Sequence, residues 1–507
     1  MKILLVYPLY PDTFWSFRHA LRFIGKRACF PPLGLLTVAA MLPVSWEKRL
    51  VDMNVGPLTD DDLHWADYVF LSAMTIQQDS VRDVIGRCRR LGVPTVAGGP
   101  LFTTAPGEFP EVDHLVLNEA EVTLPQFLDD LKKGCPQRVY STSRRADINS
   151  TPLPLWELVN TRVYASMNIQ YSRGCPYDCE FCDITGLFGR RPRTKRVTQM
   201  LAELDALKSH GWRGSIFFVD DNFIGEKRKL KRDILPALIS WMDRNRHPFT
   251  FYTEASINLA DDPELMQLMV RAGFDEVFIG IESPAEESLC ETGKLQNRNR
   301  DLLASVRTIQ EHGLQVQGGF IVGFDSDPPS VFETQIRFIQ ESGIATAMVG
   351  MLTALRGTRL YRRLHDEGRL LRNATGNNIT TALNFIPRMN VETLIEGYRS
   401  ILTTIYSPGL YSKRVIGFLR RYRPPVARRQ LDIRSIRFGA LAKSMVLLGI
   451  IDRGRRHFWK LFLWALVRRP RQFPLAITLA IYGFHFRKVA ESITQGELDD
   501  NPCTRAN

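Results

Sequence analysis

At 507 residues, with 44% hydrophobic and 24% charged content, the chain is too long for one ordinary core and too apolar for a disordered polymer. Its eight cysteines, five of them scattered, exclude a disulfide-stapled secreted domain and point to a reducing, cytoplasmic compartment. The net charge of +12 is concentrated near the C-terminus: Lys413 to Ala490 holds 19 Lys and Arg against 2 Asp, which leaves the body slightly acidic.

Residues 1–140 alternate short β-rich runs with helical patterns. MKILLVYPLYPD has a short apolar run and no small-residue cleavage site, so it reads as a first strand and not as a signal peptide. Strands are predicted at 2–8, 48–54, 67–73, 93–99 and 114–118. This alternation predicts an α/β fold, a doubly wound (Rossmann-like) parallel sheet with helices on both faces. Ligands of such sheets bind beyond the carboxyl ends of the strands. Those ends read SAMTIQ, AGGPLFTT and NEAE, with hydroxyls at Ser72, Thr75, Thr103 and Thr104. Gly98 and Gly99 would let the backbone approach a large flat ligand, though the same residues are ordinary turn formers. No G-x-G-x-x-G follows the first strand, which argues against a dinucleotide.

A polar, Pro-containing linker over 141–165 precedes a second βα series. Its strands are predicted at 166–172, 215–220, 249–256, 276–283, 315–323 and 345–353, within a unit spanning 166–385. Six βα units predict a partial (β/α)6 TIM barrel, with its chemistry at the C-terminal ends of the strands. The loop after its first strand, RGCPYDCEFCD, spaces Cys175, Cys179 and Cys182 as C-x-x-x-C-x-x-C. Thiolates this dense favour iron–sulfur or zinc. Structural zinc takes four ligands, yet no further Cys or His lies between Cys135 and Cys175 or between Cys182 and His210. Three ligands point to a cluster with one metal open to a non-protein ligand. Other strand ends carry Asp220, Asp221 and Asn222, then Glu254, then Glu282 and Ser283. Polar residues ending apolar strands are hard to explain as core, although some would serve as helix caps.

The cysteine motif resembles that of the radical SAM enzymes. The resemblance implies a [4Fe-4S] cluster on Cys175, Cys179 and Cys182, whose open iron binds S-adenosyl-L-methionine (SAM). It implies Phe181 beside the adenine, Asp220, Asp221 and Asn222 near the methionine amino group, and Glu254, Glu282 and Ser283 at the ribose or carboxylate. The run from MKILLVYP through NEAEVTLP resembles the cobalamin-binding domain of one radical SAM subgroup. That would place Ser72, Thr75, Gln77, Gly98, Gly99, Pro100, Thr103 and Glu119 around cobalamin. DITGLFGRRPRTK, FFVDDNF, GGFIVGFDSD, LTALRGT and IYSPGLY are similar to the branch that includes the hopanoid methylases, over roughly residues 1–412. Two positions depart from it. The D-x-H-x-x-G signature reads DMNVG, with Asn54 in place of His, so the implied cofactor is methylcobalamin in a His-off state. Arg356 stands where the branch commonly has Pro.

The activity implied is methylation of an unactivated carbon of a small-molecule or lipid-like substrate through a 5′-deoxyadenosyl radical, driven by an external reductant such as flavodoxin or ferredoxin. A cyclisation or rearrangement with the same cofactors is the alternative. A methylthiotransferase would need a second cysteine triad, for which Cys29, Cys88 and Cys135 are unconvincing.

A helical extension is expected over 386–425 and a basic, apolar-rich helical tail over 426–507. HFWKLFLWALV and QFPLAITLAIYGFHF fall short of the ~20 apolar residues that span a bilayer. With flanking Arg, Trp and Phe they suit helices lying peripherally on the inner face of a membrane. They suit equally a cap on the barrel with its Arg solvated. No RNA-binding module is visible, so nucleic acid is not an expected partner.

Overall fold

Two parallel sheets dominate the computed structural model, which describes residues 1–377, 379–424 and 436–494. The first contains β1 (Lys2–Tyr7), β2 (Glu47–Asp52), β3 (Tyr68–Ser72), β4 (Thr95–Gly98), β5 (His114–Val116) and β6 (Val139–Tyr140), in the order β2-β1-β3-β4-β5-β6. Every pairing is parallel. Strands such as KILLVY are apolar throughout because helices cover both faces. Leu4, Val6, Val69 and Leu71 pack on one side, Ile3, Leu5, Phe70 and Val96 on the other. The order reverses between β1 and β3, which places the crevice for a ligand at their carboxyl ends.

The second series runs β7 (Met167–Ile169), β8 (Ser172–Arg173), β9 (Arg193–Thr194), β10 (Gly214–Phe218), β11 (Phe249–Ala255), β12 (Phe274–Glu282), β13 (Gln315–Val322) and β14 (Ala347–Met351). Six of these form one parallel sheet in the order β7-β10-β11-β12-β13-β14, a partial barrel. Its outer face carries a large aromatic core, Phe218, Phe223, Phe251 and Phe274 among it. Inward side chains stay partly accessible: along β11 fully and partly buried residues alternate without a break. Phe217 and Tyr252 stack there at 4.9 Å, and Phe30 lies 5.5 Å from Phe217. Aromatic rings therefore cluster on the partly accessible face of this sheet. The remaining two strands, β8 and β9, pair antiparallel and close the base of the cysteine loop. At two residues each, they left no periodic signal in the sequence.

The tail forms a cap. Helices Val391–Ile405, Pro408–Arg421, Arg455–Arg468 and Phe473–Thr494 pack on one another, and the last also meets helix Arg18–Ile24. Tyr406 donates its hydroxyl to the Ala347 carbonyl of β14 at 2.5 Å, and Tyr411 donates to Leu479 O at 2.6 Å. Phe486 is fully buried against Phe14, Phe17 and Tyr406. His485 Nε2 lies 3.1 Å from the Phe14 carbonyl, so helix Phe473–Thr494 and the segment after β1 meet inside one core. Of the expected tail, residues 426–435 and 495–507 lie outside the described residues. No helix among the described residues is long and apolar enough to cross a membrane.

Phe486→Ala should cost about 3–5 kcal/mol, the range for deleting a fully buried aromatic ring. A lowered unfolding midpoint of the barrel in chemical denaturation checks this; an unchanged midpoint would show that the cap is not part of the barrel core.

Candidate active site

The cysteine loop leaves β8 and returns to β9, held shut by the pairings Ser172–Thr194 and Arg173–Arg193. Gly174 has φ +98°, and a Cβ there would lie 2.8 Å from the Gly189 carbonyl, so only glycine lets the chain turn this tightly into Cys175. Cys179 is buried and the other two thiols are partly so. Burial raises the pKa of all three, while the Lys294 ammonium faces each of them and favours the thiolate. Asn222 Nδ2 lies 4.0 Å from Cys175 Sγ and Gln296 Nε2 lies 3.9 Å from Cys179 Sγ, both within range of a hydrogen bond to sulfur. Three thiols with one cation and two amide donors fit an iron–sulfur cluster, whose sulfur atoms are negatively charged acceptors. They do not fit a single ion: among the described residues no group of three or more His, Cys, Asp or Glu could hold one. Elsewhere, Cys29 is buried with its thiol 3.5 Å from Ser16 O, Cys88 is buried in the first domain's core, and Cys135 is exposed. They form no second triad.

The remaining barrel residues divide into two groups. Asp220 accepts from Tyr171 N at 3.2 Å and from the Ser172 hydroxyl at 2.5 Å, and Asp221 accepts from Gly174 N at 2.8 Å. Ser283 accepts from Ala285 N at 3.2 Å. These three hold backbone. Burial pushes Asp220 up to about 7 and Asp221 to about 6. Asn222, Glu254 and Glu282 are grouped with the thiols and Lys294 instead. Glu254 is raised to about 8, by burial first and then by the negative charges of Asp221 and Asp220. Glu282 sits on a bulge of β12 at φ +63°, a costly conformation for a non-glycine residue, and accepts from Lys294 Nζ at 2.6 Å. Phe181 packs 6.1 Å from Phe324, with Lys294 Nζ 6.0 Å from its ring centroid. Its neighbour Glu180 accepts from Arg363 Nε at 2.8 Å, which ties the loop to the helix Arg359–Asp366. Lys294, Gln296 and Arg363 were missed in the sequence, because nothing in TGKLQN or LYRRL marks a residue that returns to a distant cysteine loop.

The first domain turns its strand ends toward this loop. Glu119 and Glu121 stand at the start of helix Ala120–Lys132, and Arg173 binds Glu119 at 2.9 Å and Glu121 at 2.7 Å. Arg193 reaches the same Glu119 oxygen at 2.8 Å. Burial alone would raise the Glu121 carboxyl, but the bonded Arg173 guanidinium outweighs it and lowers the pKa to about 2. Other candidate cobalamin residues have partners within the protein. Gln77 is buried, donating to Pro8 O at 2.5 Å, and Thr103 accepts from Asn118 N at 2.9 Å. A Cβ at Gly98 would lie 2.6 Å from Val116 O, and one at Gly99 would lie 2.6 Å from Ser72 Oγ, so the sheet itself demands both glycines. Thr75 lies against Gly376, and helix Pro100–Thr104 touches helix Ile184–Phe188 beside the cysteine loop. Asn54 donates to Pro8 O at 3.2 Å and accepts from Tyr10 N at 3.1 Å, which locks the turn after β2. Hydroxyls and amides at these strand ends fit a corrin, which is bound largely through its polar side groups. Arg356 pairs with Glu108 of the first domain at 3.0 Å.

Two family patterns match these regions: the B12 binding domain over residues 27–128 and the radical SAM superfamily over residues 169–339. A third, DUF4070, a domain of unknown function, matches residues 358–498. The chain belongs to the cobalamin-binding radical SAM family and is an enzyme of its methyltransferase type, with cobalamin, SAM and a [4Fe-4S] cluster as cofactors. An uncharacterized methyltransferase of Synechocystis sp. is 40% identical over 98% of this chain and 93% of that protein. The hopanoid C-2 methylase of Rhodopseudomonas palustris is 36% identical over 92% of this chain and 90% of its own. Among solved structures, the cobalamin-dependent SAM radical enzyme OxsB shares the fold at TM-score 0.61 and 16% identity, over 99% of this chain and 82% of its own.

Arg173→Met should destabilise the protein by about 3–5 kcal/mol near neutral pH, because it leaves the buried Glu121 carboxylate without its guanidinium and Glu119 with Arg193 alone. In the wild type the lowered Glu121 pKa stabilises fully above the ordinary carboxylate value of about 4.3, and that contribution is lost as pH falls through about 2. In the variant, the unpaired Glu121 carboxylate binds a proton more readily when folded, so acidification from pH 7 to 5 should restore part of the stability. Urea unfolding at both pH values reads the difference, and identical curves for the two proteins would refute it.

Proposed function

We propose that the protein methylates an unactivated carbon of a lipid-like substrate, with methylcobalamin held His-off between the first domain and the barrel mouth. The reading rests on one observation: the cysteine loop faces the carboxyl ends of the first sheet, joined to them through Glu119, Glu121 and Arg173. When bound, the cluster with SAM supplies a 5′-deoxyadenosyl radical, and cobalamin supplies the methyl group.

The protein's own residues position and shield. Lys294 offsets the charge of three thiolates, Asn222 and Gln296 donate toward their sulfurs, and Asp220 and Asp221 fix the loop's backbone. Burial between two domains excludes water from a reactive radical. Asn54, engaged in its turn, supports the absence of an axial protein ligand. The partly buried rings of Trp15, Phe30, Phe217, Tyr252 and Phe278 pair with one another beside the barrel sheet, which supports an apolar substrate. The hopanoid C-2 methylase relative supports the same class. An external one-electron donor of the flavodoxin or ferredoxin type, and contact with the inner face of a membrane, complete the reading.

Anaerobically reconstituted protein, given methyl-labelled SAM, cobalamin, a strong reductant and a lipid extract, should form 5′-deoxyadenosine and a labelled lipid. The variant with Cys175, Cys179 and Cys182 replaced by Ala should lose both products and its iron. 5′-Deoxyadenosine with an unlabelled, altered lipid would replace methylation by cyclisation or rearrangement.

A further inference from the structure

The C-terminal cap leaves one surface uncovered. Among the described residues, 8 of the 19 exposed large apolar side chains lie between Phe438 and Val467. They gather on neighbouring elements. Val446, Ile450 and Ile451 close the helix Ile436–Val446 and the π-turn Leu447–Ile451, with Ile450 63% and Ile451 66% exposed. On helix Arg455–Arg468, Leu463, Leu466 and Val467 are 55%, 47% and 73% exposed. Trp459 joins the two groups: its indole donates to Gly449 O at 2.9 Å, one residue before Ile450. Residues 459, 463 and 466 follow helical spacing, so the apolar stripe on this helix starts where that bond is made.

Cations bracket the stripe. Arg456 and Lys460 share the exposed face with Leu463 and Val467 at i, i+4, i+7 and i+11, and Arg468 and Arg471 follow its end. None of these four forms an ion pair with a described residue, and the nearby Asp452 is bound to Arg487. An apolar centre within unopposed positive charge would meet its own charges in a second copy, which disfavours a symmetric dimer. Nucleic acid would leave the apolar centre without a partner. Lipid headgroups that are anionic, with acyl chains behind them, satisfy both parts.

We infer that the surface formed by Val446–Ile451 and the exposed face of Arg455–Arg468 docks on an anionic lipid bilayer, lying on it and not crossing it. The inference gives a place to the membrane contact in the proposed function, and it is tested independently of methyl transfer. Full-length reconstituted protein is mixed with vesicles of phosphatidylglycerol and phosphatidylcholine, or of phosphatidylcholine alone. The mixed vesicles should bind at least ~10-fold more tightly, with binding falling as salt rises. Arg456→Gln/Lys460→Gln should weaken it about 30-fold, the equivalent of two basic residues at a lipid surface. Leu463→Ser/Val467→Ser should also weaken it, and both variants should still form 5′-deoxyadenosine with a soluble reductant. Equal binding to both vesicle types, or variants that bind like wild type, would overturn the inference. So would sedimentation showing that the apolar variant merely dissociates a dimer. Loss of 5′-deoxyadenosine in wild type would instead count against the proposed function.

Discussion

Two buried carboxylates of the first domain hold the base of the cysteine loop in the second. Glu119 binds Arg173 and Arg193, and these two arginines are partners across the β8–β9 ladder that closes the loop. Glu121 takes the other arm of Arg173. One interface carboxylate thus grips both arms of the loop on which all three thiols hang. A buried ion pair adds little to stability compared with an apolar packing of the same shape, but it is unforgiving of geometry. Here that property fixes the register between strand ends of two domains, which hydrophobic contact alone would leave free to slide. The position of the thiols relative to the first sheet follows from it.

Within the loop's surroundings charge is arranged in the same way. Glu282 keeps a left-handed backbone and Gly280 lacks a side chain so that Lys294 can lie beside them; a Cβ on Gly280 would stand 2.8 Å from Lys294 Nζ. Backbone strain at a bulge is maintained by Asn297, which donates to the carbonyls of Gly280 and Ile281 at 3.0 and 2.9 Å. Strain stored where a cation faces three thiols is best understood as the cost of placing that cation.

The sheets were legible because buried parallel strands are apolar runs with few alternatives, and KILLVY or QVQGGFIV leaves little room for doubt. The cysteines were legible because their chemistry lies in local spacing. Lys294 and Arg363 were not, since each acts across a loop closure that no period in the sequence records. Gly98 and Gly99 show a subtler limit. A glycine after a strand signals that something stands close, and in the sequence a ligand and a neighbouring strand look alike; here Val116 O and Ser72 Oγ stand close. The tail's apolar run was ambiguous for a similar reason: a helix that is apolar nearly all round suits a core on one side and a membrane on the other, and this one has both an inner and an exposed apolar face.

A six-stranded partial barrel has two open edges, and the rest of the chain is arranged around covering them. Just before β7 the segment 27–31 supplies a neighbour: Ala165 N and Ser166 N donate to the Ala28 and Cys29 carbonyls, and within β7 the Asn168 side chain donates to Pro31 O. Along β14 the cover is the cap, where Tyr406 exchanges hydrogen bonds with Ala347 and Arg414 reaches Ala345 O at 3.4 Å. The first cover belongs to a chain that leaves β1, crosses to the barrel and returns to β2, so the first domain is threaded to the second by its own connection. The last helix then packs on that crossing strand of chain through Phe486 and His485. Independent motion of the two domains would have to break an edge pairing, a buried core and the Glu119 grip together. Domain interfaces within one chain are ordinarily loose; this one is fastened at three places, so the two domains move as one body.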